Sequence, residues 1–410
     1  MIVSAGRLFS GLVVLVFAAV VAGAADQMDI VKPSGSTKSP LDLAGLIEGK
    51  SRSAADFRKV LKDDLERSGW FVMAPGGPAS VVVDGSCEDA GASLRVSCRV
   101  TLLPSRRICL NKIFTRNGDE YRTLAHTVSD EIVKAVKDVQ GMASSRIALV
   151  GTMSGSKEIY ICDYDGRNLV RLTDDKSVSI SPAWYPDGKR LVYTSFHAAF
   201  PYIYEIDLSG ASLSRERLTS FPGLNMGAAI SPDGRKMALC LSKDGNPELY
   251  AIDLQSKGVA RLTRTPNAGE ASPSWSPDMK QIVFVSDSPG RPQLFVSNSN
   301  GGGVRRLTKT GKENVTPDWG RNGMIAFASL RDGHYQICII DVSTGEEKQL
   351  TSDGADYEDP SWAPDGRHLV CSRSEGRRSS AVYILDTMGD GLIRLLNVRG
   401  NWSSPAWSYR

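Results

Sequence analysis

The sequence predicts two domains in series: a small N-terminal α/β domain and an all-β, six-bladed β-propeller with four-stranded blades. Three observations carry this. Arg-Leu-Thr-like strand ends recur at Thr173, Thr219, Thr263, Thr308, Thr351 and Leu396, at intervals of 46, 44, 45, 43 and 45 residues. Ser-Pro-x-Trp-like strand starts keep the same beat at Trp184, Trp275, Trp319, Trp362 and Trp407, with Ala229 taking the slot in the second copy. Such a period suits the roughly 40–45 residues of a four-stranded blade and is too long for helical arrays of about 33. The third observation is at the ends of the array. Residues 146–173 hold strands b, c and d with no strand a, while Ser404-Pro405-Ala406-Trp407-Ser408 is a strand a with nothing after it. The C-terminal strand is therefore expected to complete the first blade and remove the open edges.

The elements follow in chain order. Arg7 closes a short basic start, Leu8 to Val21 is apolar, and Ala22-Gly23-Ala24 ends the run, which reads as a secretory signal at residues 1–24 cleaved after Ala24. The apolar run is shorter than the ~20 residues that span a bilayer. Residues 25–39 concentrate Pro, Gly and Ser toward their end and read as a mobile arm.

Over residues 40–142 the apolar period switches from 3.6 to 2 and back. Phe57, Val60, Leu61 and Leu65 form one stripe, predicting a helix over Ala54 to Arg67 that stops at Gly69. Strands are expected over Val81 to Gly85, Leu94 to Leu103 and Ile108 to Arg116. A second helix, Asp119 to Val139, would bury Leu124, Val128, Ile132 and Val136. Gly141 to Ser145 forms the linker, and the propeller occupies residues 145–410.

Within the propeller, Pro-Asp-Gly at 186–188, 232–234 and 364–366 gives the turn from strand a to strand b: Pro fixes one dihedral and Gly supplies a positive φ. Two copies deviate, to Pro277-Asp278-Met279 and Arg321-Asn322-Gly323. The recurrent tryptophans are assigned to packing between blades. The recurrent aspartates, including Asp163, Asp207, Asp253, Asp341 and Asp386, are assigned to hydrogen bonds within their own turns.

Composition excludes little but does exclude some classes. A net charge of +3 on 410 residues gives no field for steering onto nucleic acid or anionic lipid. Cys162, Cys240, Cys338 and Cys371 sit in apolar strand text and read as packing groups. Cys87, Cys98 and Cys109 lie around two predicted hairpins with no two directly opposite, leaving a disulfide there open. No Gly-x-Ser-x-Gly elbow and no His-Glu-x-x-His occurs. Of the propeller's histidines, His197 and His334 are expected in b-to-c loops and His368 at a strand b start, too dispersed for a histidine-rich metal site. No catalytic, metal or cofactor residue is assigned.

Several strings carry a resemblance. Ala125-His126-Thr127-Val128-Ser129-Asp130-Glu131, Ser145-Arg146-Ile147-Ala148, Asp163-Tyr164-Asp165-Gly166, Ser181-Pro182-Ala183-Trp184 with Pro186-Asp187-Gly188, and Gly290-Arg291-Pro292-Gln293 resemble signatures of the TolB family. The order of signal, α/β domain and six repeats is similar too. The resemblance implies a periplasmic, non-enzymatic, monomeric scaffold of the Tol-Pal system that supports outer-membrane integrity and invagination during division. It implies docking of the lipoprotein Pal at one propeller mouth and of TolA on the N-terminal arm, through Asp26, Met28, Ile30 and Val31. Leu224 stands where the family often has a histidine. The alternative is a secreted propeller that binds or cleaves a glycan or peptide.

Strand order places the d-to-a and b-to-c loops on one face and the Pro-Asp-Gly turns on the other, and the irregular face is the expected partner surface. Its candidate residues are Leu224, Asn225, Gly227, Glu270, Ala271, Glu313, Asn314, Asp356, Tyr357 and Glu358. Asp187 and Asp365 mark the opposite face, where charge changes are expected to disturb local turns only.

Overall fold

The computed structural model describes residues 38–410 except Ala211, Arg377, Arg378, Asp390 and Arg410. Ala24 and the arm residues Asp26, Met28, Ile30 and Val31 lie outside the described residues. The chain forms two compact units, one ending at Ser145 and one starting at Arg146.

The first unit is a mixed sheet with two helices. Its strands are β1 (Ser39–Asp42), β2 (Leu46–Glu48), β3 (Phe71–Met73), β4 (Val81–Ala90), β5 (Ser93–Leu102) and β6 (Arg107–Asn117), and its helices are α1 (Arg52–Arg67) and α2 (Tyr121–Lys137). The sheet order is β3-β1-β4-β5-β6, with β2 also pairing β4. The expected stripe holds: Phe57, Leu61 and Leu65 of α1 pack in one core with Leu124, Val128 and Ile132 of α2. Ser51 starts α1 by accepting the Ala54 amide at 3.1 Å, satisfying a donor that the helix itself leaves open. Strands β1, β2 and β3 span only 4, 3 and 3 residues, too few to show a period, and were not expected from the sequence. Ser39, placed in the arm by composition, is the first residue of β1. Asp64 and His126 meet inside this core, with Oδ2 2.7 Å from Nδ1.

The second unit is the six-bladed propeller. Blades 2 to 6 are consecutive antiparallel a-b-c-d sheets whose strands a are Ser179–Trp184, Asn225–Ile230, Glu270–Trp275, Asn314–Trp319 and Asp356–Trp362. Blade 1 takes its strands b, c and d from Arg146–Gly151, Glu158–Asp163 and Val170–Arg171, and its strand a from Trp402–Trp407 at the C-terminus. Strands b, such as Arg190–Ser195 and Gln281–Ser286, are buried over almost their whole length because blades cover both of their faces. Met279 takes φ +62° in the slot where Gly188 and Gly234 take +65° and +73°, so the methionine bears a left-handed backbone that glycine adopts freely.

Register corrects two sequence assignments. Trp184 pairs with Leu191 and Trp275 with Ile282, and the equivalent pair in blade 3 is Ile230 with Met237. Ile230, not Ala229, therefore fills the tryptophan slot; Ala229 is one residue early and faces the other way, as alternation requires. His334 is not in a loop. It opens strand c of blade 5, opposite Arg331, because Asp332-Gly333 with φ +51° and +89° makes a two-residue hairpin.

Ring closure is anchored by Trp402, which is wholly buried with its ring edge-on to Tyr160 at 5.1 Å. It lies over Gly151, where an added Cβ would run into the indole. Arg146 and Ser408 exchange bonds, the Arg146 amide reaching the Ser408 hydroxyl at 2.8 Å and the Ser408 amide the Arg146 carbonyl at 2.8 Å. Trp402→Ala is expected to destabilise the propeller by about 3–5 kcal/mol. Gly151→Ala should also destabilise it, and deletion of residues 401–410 should do so most. Denaturant unfolding measures all three, and an unchanged midpoint for the deletion would refute the closure.

Candidate functional site

The channel through the propeller is lined by the six strands a, and each is interrupted at the same place. Its register against strand b slips by one residue, and at the slip one residue adopts positive φ: Ser181 (53°), Gly227 (65°), Ser272 (49°), Thr316 (47°), Asp359 (52°) and Ser404 (46°). These are β-bulges, which bend a strand and re-aim its side chains. All six border two cavities along the channel, one of about 400 Å³ toward the d-to-a and b-to-c loops and one of about 210 Å³ toward the strand a tryptophans.

Below the bulges, the side chain before the tryptophan joins neighbouring blades at three of the joins. The Ser274 hydroxyl accepts the Trp319 amide at 3.0 Å, Asp318 accepts the Trp362 amide at 2.7 Å, and the Ser361 hydroxyl accepts the Trp407 amide at 3.0 Å. Burial pushes the Asp318 carboxyl above its ordinary range despite these donors, and the same holds for Asp359, which accepts from Ser404 Oγ at 3.0 Å.

The larger of these two cavities opens on the irregular face. Leu224, Met226, Pro247, Ala268 and Ala271 give it apolar walls, and Asn246, Asn267, Glu270 and Asp287 give it polar points. Of the residues expected at the partner surface, Leu224, Gly227, Glu270 and Ala271 line it. Glu313 and Asp356 sit elsewhere on the rim, held by Tyr335: its hydroxyl donates to Glu313 Oε2 at 2.7 Å and its amide to Asp356 Oδ1 at 3.0 Å. Glu358 is half-buried beyond them, its carbonyl accepting from Ser372 Oγ at 3.0 Å.

Four expected surface residues are interior. Asn225, Asn314 and Tyr357 are wholly buried, and Glu270 is 3% exposed. Asn225, Glu270 and Asn314 look like loop residues in sequence because they are polar and follow turn-forming text. In the fold each opens a strand a with its side chain turned inward: Asn225 Nδ2 donates to the Phe221 and Gly223 carbonyls, Asn314 Nδ2 to the Thr310 carbonyl, and Glu270 accepts from the Ser286 and Thr263 hydroxyls. Sequence reading missed the b-to-c loop contributors Asn246, Pro247 and Asp287, although the shared face of the two loop sets was their signal.

The opposite face also departs from expectation at one point. Asp187 is exposed and bonds only its own turn and Arg190. Asp365 is buried: it caps the Arg367 amide at 2.9 Å and lies 2.6 Å from His368 Nδ1, beside the buried bidentate pair of Arg367 with Asp386. Burial alone would raise the Asp365 carboxyl, but His368 and the neighbouring amides hold it below its usual range. Asp365 and Asp386 thus serve a buried network and not local turns alone, whereas Asp207, Asp253 and Asp341 bond their own turns as expected. All seven cysteines are free, and Cys87 and Cys98 face Val96 and Lys112 across the sheet. Among the described residues, no group of three or more His, Cys, Asp or Glu is placed to hold a metal ion.

The family model of the TolB beta propeller domain matches residues 133–410. The chain belongs to the TolB propeller family. The Tol-Pal system protein TolB of Hahella chejuensis is 33% identical over 197 residues, 42% of this chain and 45% of that protein. That of Geobacter sulfurreducens is 34% identical over 160 residues, 34% of this chain and 37% of that protein, so the matched stretch spans less than half the length of these curated relatives. In three dimensions the likeness is longer. The crystal structure of TolB from Acinetobacter baumannii superposes with a TM-score of 0.79 at 28% identity, covering 93% of this chain and 98% of that one. The α/β unit followed by a propeller closed by the C-terminal strand is thus the architecture that the TolB resemblance implied.

The two aspartates on the turn face separate a buried network from a solvated turn. Asp365→Asn is expected to cost about 3–5 kcal/mol at neutral pH, because it removes one partner of a buried charged group. Asp187→Asn should cost less than about 1 kcal/mol. Because the Asp365 carboxyl lies below its usual range in the fold, its contribution is present at neutral pH and lost as pH falls through that lowered value. Thermal melting of both variants at neutral and acid pH measures this.

Proposed function

We propose that this chain is a periplasmic, non-enzymatic scaffold of the Tol-Pal system that docks a lipoprotein partner at the irregular mouth of its propeller. The observation that supports this best is the 400 Å³ cavity at that mouth, apolar-walled with a polar rim, in a chain of the TolB propeller family. Such a pocket suits the anchoring side chains of a protein partner, since buried apolar anchors ringed by polar groups carry most binding energy at interfaces. Pal is the proposed partner there, and TolA is proposed to engage the arm through Asp26, Met28, Ile30 and Val31. In this role the protein would support outer-membrane integrity and invagination during division, as an exported protein cleaved after Ala24.

The placement of side chains refines the mouth. Leu224 and Asn267 can be reached by a partner, whereas Asn225, Asn314 and Tyr357 hold the mouth's shape from beneath. Leu224→Arg and Asn267→Arg are expected to weaken binding of the purified Pal domain about tenfold each, or roughly 1.4 kcal/mol, with melting temperature unchanged. Isothermal titration measures this. Wild-type affinity in both variants would place the partner elsewhere, and loss confined to turn-face variants would invert the proposed orientation. Mass spectrometry of periplasmic protein should give a chain beginning at Ala25; an uncleaved Met1 species in the membrane fraction would remove the periplasmic reading.

A further inference from the structure

Beneath the mouth, blades 4 and 5 and blades 3 and 4 are joined by polar seams of the same geometry that differ in the residues they use. The seam between blades 4 and 5 uses Gln293, first in strand c, Thr308 after strand d, and Asn314, first in the next strand a. Asn314 Nδ2 and Thr308 Oγ1 both donate to Gln293 Oε1 at 2.9 Å, while Thr308 Oγ1 accepts the Leu294 amide at 3.1 Å. One repeat earlier the same three positions are Glu248, Thr263 and Glu270. Thr263 Oγ1 again accepts the following amide, Leu249, at 2.8 Å, so the geometry is retained while both amides have become acids.

The hydrogen bonds leave one oxygen over. Glu248 Oε1 accepts from Arg261 Nη2 at 2.9 Å and from the Thr265 amide at 2.8 Å. Glu270 Oε1 accepts from Ser286 Oγ at 3.1 Å and Oε2 from Thr263 Oγ1 at 3.3 Å. Glu248 Oε2 is buried with no donor, although the two carboxyls lie in hydrogen-bonding contact with one another. Both side chains are buried, and two ionised carboxylates so placed repel with little water to screen them. A donor is needed where Asn314 supplies an N–H, and a carboxylic acid O–H is the group that can supply it.

We propose that Glu270 carries a proton below neutral pH and donates it to Glu248 Oε2, so that blades 3 and 4 are latched beneath the mouth by one shared proton that rising pH removes. The surroundings agree. Arg261 on strand d of blade 3 is the cation facing the pair, and it divides its charge with Asp244 of the b-to-c turn, 3.8 Å away, which also pairs Lys243 at 2.7 Å. Cys240 on strand b lies against both acids, its thiol raised by burial and therefore neutral. Asp287, from the b-to-c turn of blade 4, is engaged with the Gly269 amide at 2.7 Å. Burial, then the neighbouring Glu248, raises the Glu270 carboxyl to about 7. Burial also opposes charge on Glu248, but the donors around it, among them the Thr265 amide and Arg261, hold it low.

The sign follows from the raised value. Folding takes up the proton, so the contribution is complete below the ordinary glutamate range and is lost as pH rises through the raised value of about 7. The segment that loosens then is Thr265 to Gly269, whose Ala268 and Gly269 form part of the cavity wall and whose Thr265 is tied to Glu248 and Asn246.

Glu270→Gln supplies a permanent N–H donor in place of the titrating O–H. Relative to wild type, its melting temperature is expected to be nearly equal at pH 5 and higher by roughly 2–6 °C at pH 8. In infrared difference spectra, wild type should show a protonated-carboxyl C=O band at pH 6 that Glu270→Gln lacks and that fades by pH 9. If Glu270→Gln does not fold, Glu270→Asn, using the residue found in blade 5, replaces it in both measurements. Parallel melting curves from pH 5 to pH 8, or identical carboxyl bands in wild type and variant, would overturn the latch.

Discussion

The structure rests on how each strand a wedges one large side chain into the blade before it. Trp184 packs with Ala148, Val150 and Ile159 of blade 1, Ile230 with Tyr185, Val192 and Ile203 of blade 2, and Trp275 with Ala238 and Leu249 of blade 3. Trp319 and Trp362 do the same to blades 4 and 5. Each burial is worth about 1.5–3 kcal/mol, and its direction matters more than its size. A wedge always points to the preceding blade, so no blade is complete without its neighbour and the array must close. Two indole N–H groups fix the angle as well, Trp184 donating to the Ala406 carbonyl at 3.0 Å and Trp275 to the Ala229 carbonyl at 3.1 Å.

That constraint explains what the sequence made legible. A wedge repeated at every blade leaves a tryptophan every 45 residues or so, and the threonine after strand d leaves a second mark because its hydroxyl caps the preceding strand c of the same blade. Thr173, Thr219, Thr263, Thr308 and Thr351 accept the amides of Ile159, Ile203, Leu249, Leu294 and Ile337 at 2.8–3.1 Å. The copy without tryptophan was misplaced by one residue because Ala229 and Ile230 are both apolar and only register tells them apart. Strands β1 to β3 left no mark because parallel pairing to distant segments selects them, with Leu41 set against both Met73 and Val81.

The candidate site was legible only in its outline. Alternation and connection order were enough to separate an irregular face from a turn face, because loops between fixed strands have few choices of side. They were not enough to tell a polar residue that meets solvent from one that turns inward. Asn225, Asn314 and Asp365 read as surface groups, yet each satisfies backbone or a charge that the packed ring has closed off from water. Polarity in a sequence reports a need for hydrogen bonds, and in a closed ring that need is often met inside.

The bulges at the channel show the same economy at the backbone. Five of the six positive-φ positions carry a side chain, and all five precede proline, a context in which helical dihedrals are disfavoured. Left-handed backbone at a residue other than glycine costs about 1–2 kcal/mol, so the ring holds several such costs at one level. Glycine at each would be cheaper locally, as Gly227 shows. The side chains retained there have further roles: Ser404 Oγ donates to Asp359 across the join of blades 1 and 6, and Asp359 is one of two channel carboxyls that burial raises. Strain that recurs at one level of every blade is held by the wedges on either side of it, because a strand pinned at its tryptophan and at its first residue cannot relax the bulge without giving up both. The waist of the channel is therefore set by the same packing that closes the ring.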